Sequence, residues 1–448
     1  MTNTTKQALK QSICAAIDRN AERIIALGER IRRQPELGFK EFKTARLAEE
    51  TLGELGLKPR AGLAITGVRA EVAGAKDGPT FAMLGELDGL VVQGHPIADP
   101  ETGAAHACGH NAQMAGLLGA AMGLLEAGAP AHLAGRLVFF AVPAEEYGDV
   151  EWRVAQARAG RIEFLGGKPE LLRLGHFDDV DLAMMIHTTS APETRKAGVA
   201  ASNNGCIVKT VRYLGRASHA GGAPHMGVNA LYAANIGLMA INALRETFRD
   251  EDSIRVHPIL THGGSQVNVI PGEARLEMYV RGKTPEGVAD ASRRVDRALR
   301  AGALALGARV EIDTLPGPMP LRCDSTMARF FADTARGLVG AEHYRDIPHR
   351  SGSTDMGDLS QVIPVLHPYM GGARGPGHSA DFAIIDPDLG YVQPAKALAA
   401  MAVDLLADGA QGAREVLAGP RPPMTRAGYL AFQRGIARRE DFDGGEGT

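Results

Sequence analysis

The stretch Ala105-His106-Ala107-Cys108-Gly109-His110-Asn111, leading without a break into a mostly apolar run over 112–125, decides how the chain is read. A thiol and an imidazole two residues apart are both ligands for zinc-like metals. Asn111 stands where an N-cap is expected, so the sequence predicts a helix that starts at these groups and turns its positive end toward them. That end favours the thiolate, the form a metal takes. A loop cysteine beside a capping histidine would have the same spacing. The stretch therefore points to a metal only if the rest of the chain supplies further ligands.

Working outward, short apolar runs end abruptly in residues of the right kind. Thr80–Leu84 reads as a strand buried on both faces and runs out in Gly85-Glu86-Leu87-Asp88. Arg136–Val142 ends in Pro143-Ala144-Glu145-Glu146, and Asp181–Ile186 delivers His187. In open α/β sheets, ligands bind beyond the carboxyl ends of the strands. Three such endings together place Asp88, Cys108, His110, Glu145, Glu146 and His187 at one edge. Around them, Ile13–Leu57 has helical apolar spacing broken at Pro35, and Gly128 and Pro130 stop the helix after Asn111.

After Ser190 the pattern changes. Gly205–Leu214, Asn229–Phe248, Ile254–Leu260, Ala274–Val280, Pro285–Leu306 and Arg309–Thr314 alternate as β-α-β-β-α-β, the order of a ferredoxin-like split unit. The chain then returns to α/β pattern: a helix near Ser325–Leu338, a strand-like Val362–Leu366, a glycine-rich loop over 371–381 carrying His378, and a helix over Pro394–Leu406. Beyond Gly409 the charged, Pro/Gly-rich tail is assigned no function. The expected architecture is an α/β catalytic domain, with a central mixed sheet and helices on both faces, plus an inserted α+β domain. The expected boundaries are 1–197, 198–314 and 315–448.

Composition limits the partners. The 448 residues are 45% hydrophobic and 23% charged, with net charge −3. There is no basic stripe for nucleic acid and no apolar run long enough to span a membrane. Cys14, Cys108, Cys206 and Cys323 follow no disulfide spacing, and the N-terminus reads as a surface helix with no secretory leader, so a cytoplasmic location is expected.

Metal-assisted hydrolysis needs ligands, an open position for water and a base that is not itself a ligand. Adjacent residues leaving a strand point to different sides, so one of Glu145 and Glu146 can bind metal while the other faces the water. His187 ends a buried strand, and His378 sits among glycines where backbone can approach a ligand. One of the glutamates with Cys108, His110, His187 and His378 makes more ligands than a single zinc takes, which favours two bridged ions.

These residues carry a resemblance. Gly85–Asp88, His106–Asn111, Pro143–Glu146, Ile186-His187 and Gly377–Phe382 are similar, in order, to the clan MH metallopeptidase family of aminoacylases and glutamate carboxypeptidases. Within it they resemble the amidohydrolase branch of aminobenzoyl-glutamate hydrolase, hippurate hydrolase and the auxin-conjugate hydrolases. The inserted domain matches through Ala217–Ala220, Pro224-His225 and Gly263–Pro271. The resemblance implies a zinc-peptidase-like fold and a pair of divalent ions, zinc or manganese foremost, with cobalt or nickel permitted. Cys108, His110, Glu146, His187 and His378 would hold them. Glu145 would be the general base and Asp88 would orient a ligand. The inserted domain would be a lid that dimerises, with His219 stabilising the oxyanion, across the dimer, and Asn268 meeting the substrate carboxylate. The implied reaction splits an N-acyl or N-aroyl amino acid, or a dipeptide-like substrate, into a carboxylic acid and an amino acid. Much of the branch reads D-x-D-A-L-P where this chain has Glu86-Leu87-Asp88-Gly89-Leu90-Val91, which with Gly352–Asp358 looks nearer the aminobenzoyl-glutamate hydrolase B-subunit type.

Two rivals make different demands. Cys108 could be a nucleophile with His110 or His106 as base, although no Asn or Asp is placed in sequence to orient that base. A non-catalytic metal- or ligand-binding protein on the same scaffold would have no need of the paired glutamates.

Overall fold

The chain is described here by a computed structural model covering residues 3–445. It divides into two compact units. One runs through Ser202 and takes in Arg322–Arg350 and Asp358–Arg426; the other comprises Asn203–Leu321, Ser351–Gly357 and the chain from Ala427 on. Each bears out the α/β and α+β reading of its sequence.

The first unit is built on a six-stranded mixed sheet in the order Arg60–Leu63, Gly67–Ala73, Ala134–Val142, Lys76–Glu86, Leu182–Met184, Val365–Leu366. Lys76–Glu86 is central and runs parallel to both neighbours, so its carboxyl end and theirs share an edge. Its second half, Phe81–Leu84, is fully buried, as the absence of polar alternation predicts. Over the sheet, the helices Asn3–Arg19, Ala21–Arg32, His110–Glu126 and Gln393–Leu417 share one apolar core. His110–Glu126 can sit in the middle because it is rich in Ala, Gly and Leu. A Cβ added at Gly123 would lie 2.3 Å from Ile17, so the glycine is what lets the first helix close on it.

Several expectations are corrected. Asn111 is not the N-cap: Gly109 takes that position at φ 91°, a left-handed conformation, and the helix begins at His110. Asn111 instead donates to Gly28 O and Tyr391 Oη, tying the helix start to its neighbours. His187 does not end the strand expected over 181–186, which spans only Leu182–Met184; it opens a new strand, His187–Thr188, in a separate four-stranded sheet. The helix expected to stop at Leu406 does break there, at the non-helical residues 407–410, and a further helical stretch runs on to Leu417.

The second unit is an antiparallel five-stranded sheet ordered Arg255–His262, Glu273–Gly282, Gly205–Leu214, Arg309–Pro316, Arg438–Asp443. The helices Ala230–Leu244 and Pro285–Leu306 pack on it around a core that includes Tyr213, Ile241, Val295 and Leu299. The fifth strand comes from the tail. Arg438–Asp443 pairs with Arg309–Pro316 in register from Thr314↔Arg438 to Arg309↔Asp443, so the segment read as functionless tail is part of this domain.

Candidate metal centre

Glu146 and His187 follow the carboxyl ends of Ala134–Val142 and Leu182–Met184, and Cys108 and His110 stand at the start of the His110–Glu126 helix. The ligand atoms of Cys108, His110 and His187 lie within 4.8 Å of one another, as do those of Cys108, Glu146 and His378. The two triads share the Cys108 thiol.

The local fold explains why these side chains can act as ligands. His110 Nδ1 lies 2.8 Å from the Asp88 carbonyl and 3.2 Å from its carboxylate. Both are acceptors, so Nδ1 carries a proton and Nε2 is the atom turned toward the cluster. His187 is set the same way: Nδ1 lies 2.6 Å from the Thr188 carbonyl, and Nε2 is 3.4 Å from Cys108 Sγ. Asp88 has a second task, since its Oδ2 accepts the Glu146 N–H at 2.9 Å. His378 takes a left-handed φ of 64° in its glycine-rich loop, its N–H donates to Ala107 O, and its Nε2 lies 3.2 Å from Glu146 Oε1. Ala144, also left-handed at φ 53°, turns the chain sharply after Val142 and separates the aims of Glu145 and Glu146.

The electrostatics mark the cluster as a cation site. Burial and the Glu146 charge push the Cys108 thiol up, but His187 and His110 outweigh them and it settles at about 6. The Glu146 carboxylate raises His378 to about 11 against burial. Burial would make His110 neutral, yet Glu86 and Asp88 hold it well above the ordinary histidine value. His110 Nε2 and Glu146 Oε1 are buried, and the contacts they make are to Glu86 and His378, members of the same cluster. Buried donor atoms converging from both triads fit a divalent ion.

The sequence reading missed two participants. Glu86 Oε2 lies 3.1 Å from His110 Nε2, and Glu86, His110 and Glu145 form a third triad of possible ligand atoms. Glu86 is in turn held by the buried Lys168 at 2.6 Å and by Gln113 at 2.8 Å. Behind His187 stands His367, with ring centroids 5.6 Å apart and both His367 nitrogens buried without partners. Nothing in the sequence flags His367; Glu86 is visible as the first carboxylate after the strand.

His219 and Asn268 belong to the second unit, where they are neighbours. His219 bridges Val269, and Ala220 N–H donates to Asn268 O at 3.0 Å. His219 Nδ1 accepts from the N–H groups of Gly221 and Gly222, so its exposed Nε2 carries the proton and is a donor.

A parallel-strand edge lined by thiol, imidazoles and carboxylates defines a metallohydrolase class of fold and site. The family model of peptidase family M20/M25/M40 matches residues 82–401, and the chain belongs to that family. It is a hydrolase acting on C–N bonds. The chain is 30% identical over 385 residues to the Xaa-Arg dipeptidase of Mus musculus, covering 81% of this chain and 80% of that one. It is 25% identical over 388 residues to the IAA-amino acid hydrolase ILR1-like 4 of Arabidopsis thaliana, covering 82% of each. Among solved structures it is similar to the Bacillus subtilis YXEP protein, a dinuclear metal binding peptidase of the M20 family. There the TM-score is 0.64 at 23% identity, over 87% of this chain and 99% of that one. Among the described residues no helix is long and apolar enough to cross a membrane.

Proposed function

We propose that this protein is a dinuclear-metal amidohydrolase that cleaves the single amide bond of an N-acyl or N-aroyl amino acid or a dipeptide, releasing a carboxylic acid and an amino acid. The observation that carries the reading is the pair of donor triads sharing one thiolate, Cys108–His110–His187 and Cys108–Glu146–His378. A shared soft ligand between two three-atom sets is the donor pattern of two adjacent ions, zinc or manganese foremost. Such ions, when bound, polarise the scissile carbonyl and lower the pKa of water. The chain's own residues then have distinct work. Glu145, beside the triads but outside both, takes the proton of the attacking water and returns it to the leaving amine. Asp88 orients His110 and fixes the Glu146 backbone. His219, held as a donor by two glycine N–H groups, stabilises the developing oxyanion. Asn268, next to it, meets the carboxylate of the substrate.

A homodimer through the second unit is part of the reading. Arg255–His262 is an edge strand with Ile259 and Leu260 exposed, and Tyr232 and Met239 are exposed on the Ala230–Leu244 helix. An uncovered apolar edge of this kind seeks a partner.

One contact favours a second reading. Cys108 Sγ lies 3.4 Å from His187 Nε2, a thiol–imidazole pair with the imidazole oriented by a carbonyl. A cysteine nucleophile would use it. Metal analysis coupled to a screen of dipeptides and N-acyl amino acids separates the two. The proposed function predicts about two divalent ions per chain and activity lost to chelators. Activity that survives chelation and dies on thiol alkylation would hand the site to the nucleophile.

A further inference from the structure

Two buried ionisable side chains that belong to neither triad grip the turn carrying Glu145. Glu41 is fully buried and comes from the loop before the Phe42–Glu54 helix. Its Oε1 accepts the Ala144 N–H at 2.7 Å, and its Oε2 accepts the Thr66 hydroxyl at 2.6 Å. Arg153 lies on the Val150–Arg158 helix and is 2% exposed. Its Nη1 donates to Leu165 O at 2.5 Å and to Ala144 O at 3.4 Å, and its Nη2 donates to Glu146 O. With Asp88 on the Glu146 N–H, the backbone N–H and C=O of both residues flanking Glu145 are held by buried ionisable side chains. Gly38 makes the grip possible, because a Cβ there would lie 2.2 Å from Arg153 Nη2.

A left-handed non-glycine residue such as Ala144 is strained and persists only where its surroundings over-determine it. Satisfying carbonyls with a guanidinium fork fixes direction as well as distance. We propose that Glu41 and Arg153 are positioning residues for the general base: they hold the Ala144 turn so that the Glu145 carboxylate keeps its aim toward the reacting water. The proposal rests on the assignment of Glu145 as base. Their task is distinct from that of Asp88, which also orients a metal ligand.

The distinction can be measured, because a gripped base affects turnover and leaves metal and substrate binding alone. Glu41→Gln preserves an acceptor for the Ala144 N–H and, through its amide, a donor for Thr66; Glu41→Met preserves neither. Steady-state kinetics on an accepted substrate, with metal content and melting temperature of each variant, are compared with Glu145→Gln as reference. The expected result is a kcat about tenfold to a hundredfold lower for Glu41→Met, since small misplacements of a reacting group cost that much. KM and bound metal stay unchanged, and Glu41→Gln recovers most of the rate. Arg153→Lys, which keeps the charge but cannot reach all three carbonyls, should show the same split and serves if Glu41→Met fails to fold. Equal rates for the Met and Gln variants, an unchanged kcat for Arg153→Lys, or rate loss in proportion to metal loss would overturn the proposal while Glu145→Gln stays inactive. An active Glu145→Gln would instead overturn the base assignment itself.

Discussion

Lys168 and Lys209 are both fully buried, and each holds a carboxylate at 2.6 Å, one pair in each compact unit. They differ in where the rest of the carboxylate points. Asp296, the partner of Lys209, gives its other oxygen to Arg438 on the tail strand, and Lys209 also donates to Thr314 at 2.8 Å. The cluster stitches a helix to the strands beside it. Glu86, the partner of Lys168, turns its other oxygen to Gln113 and toward His110 Nε2. Burial alone would protonate Glu86, but Lys168 and His110 hold it ionised, down to about 2. A buried ion pair is by itself weak evidence of stabilisation. The same bond is structural where its spare valence is spent on the scaffold, and bears on the candidate site where it is spent on an imidazole of the donor cluster.

The most severe test of the functional half is Glu145→Gln. Turnover should fall by about 10²–10⁴, the usual worth of a general base, with metal content near normal by elemental analysis. Loss of metal alongside activity would break the division of labour, making Glu145 a ligand within the Glu86–His110–Glu145 triad.

The lysines themselves come next. Lys168→Met and Lys209→Met each remove the buried cation beside a buried carboxylate, leaving Asp296 with the half-exposed Arg438, so both should lose about 3–5 kcal/mol in denaturant unfolding. Only Lys168→Met should also lower kcat/KM or metal affinity of the folded fraction, by about 10–100-fold, as removal of an outer partner of a ligand does. Equal effects on activity would erase the contrast.

Thiol reactivity sharpens the same line. In metal-stripped protein, Cys108 at about 6 should alkylate at a rate that is flat above pH 7 and falls about tenfold per unit below 6, following the thiolate fraction. Cys323, pushed up to about 12 by burial, should stay inert. Metal loading should protect Cys108; unprotected alkylation at full metal content would argue that the thiol is no ligand.

How much of this the sequence carried follows from what local pattern can encode. The Pro143–Glu146 motif announces itself because a candidate ligand and a strand end adjoin in sequence, His106–Asn111 because candidate ligands adjoin a helix start, and the Pro285–Leu306 helix is legible from its apolar period. Asn111 was misread because the glycine before His110 offers a left-handed start that outcompetes a side-chain cap. Lys168 was illegible: it looks like any surface lysine in Gly167–Arg173, and its burial depends on a partner 82 positions away. The tail strand was hidden for a related reason. Arg438–Asp443 has almost no apolar alternation, so nothing but an available edge makes it a strand.

That strand yields the smallest expected effects. Its side chains are half-exposed charges facing charges: Arg439 meets Glu311, and Asp441 meets Arg309. Exposed pairs of this kind contribute about 0.2–1 kcal/mol each, and salt screens them. Arg439→Ala should therefore change unfolding free energy by less than about 0.5 kcal/mol. Arg438→Ala should cost more, about 1 kcal/mol, because its partner Asp296 is buried even though Arg438 itself is half-exposed. Neither should alter kcat. If Arg438→Ala matched Lys209→Met in severity, the tail arginine and not the lysine would be the true counter-ion of Asp296. The structural pair would then be a device for anchoring the last strand, built on a side chain the sequence presents as surface.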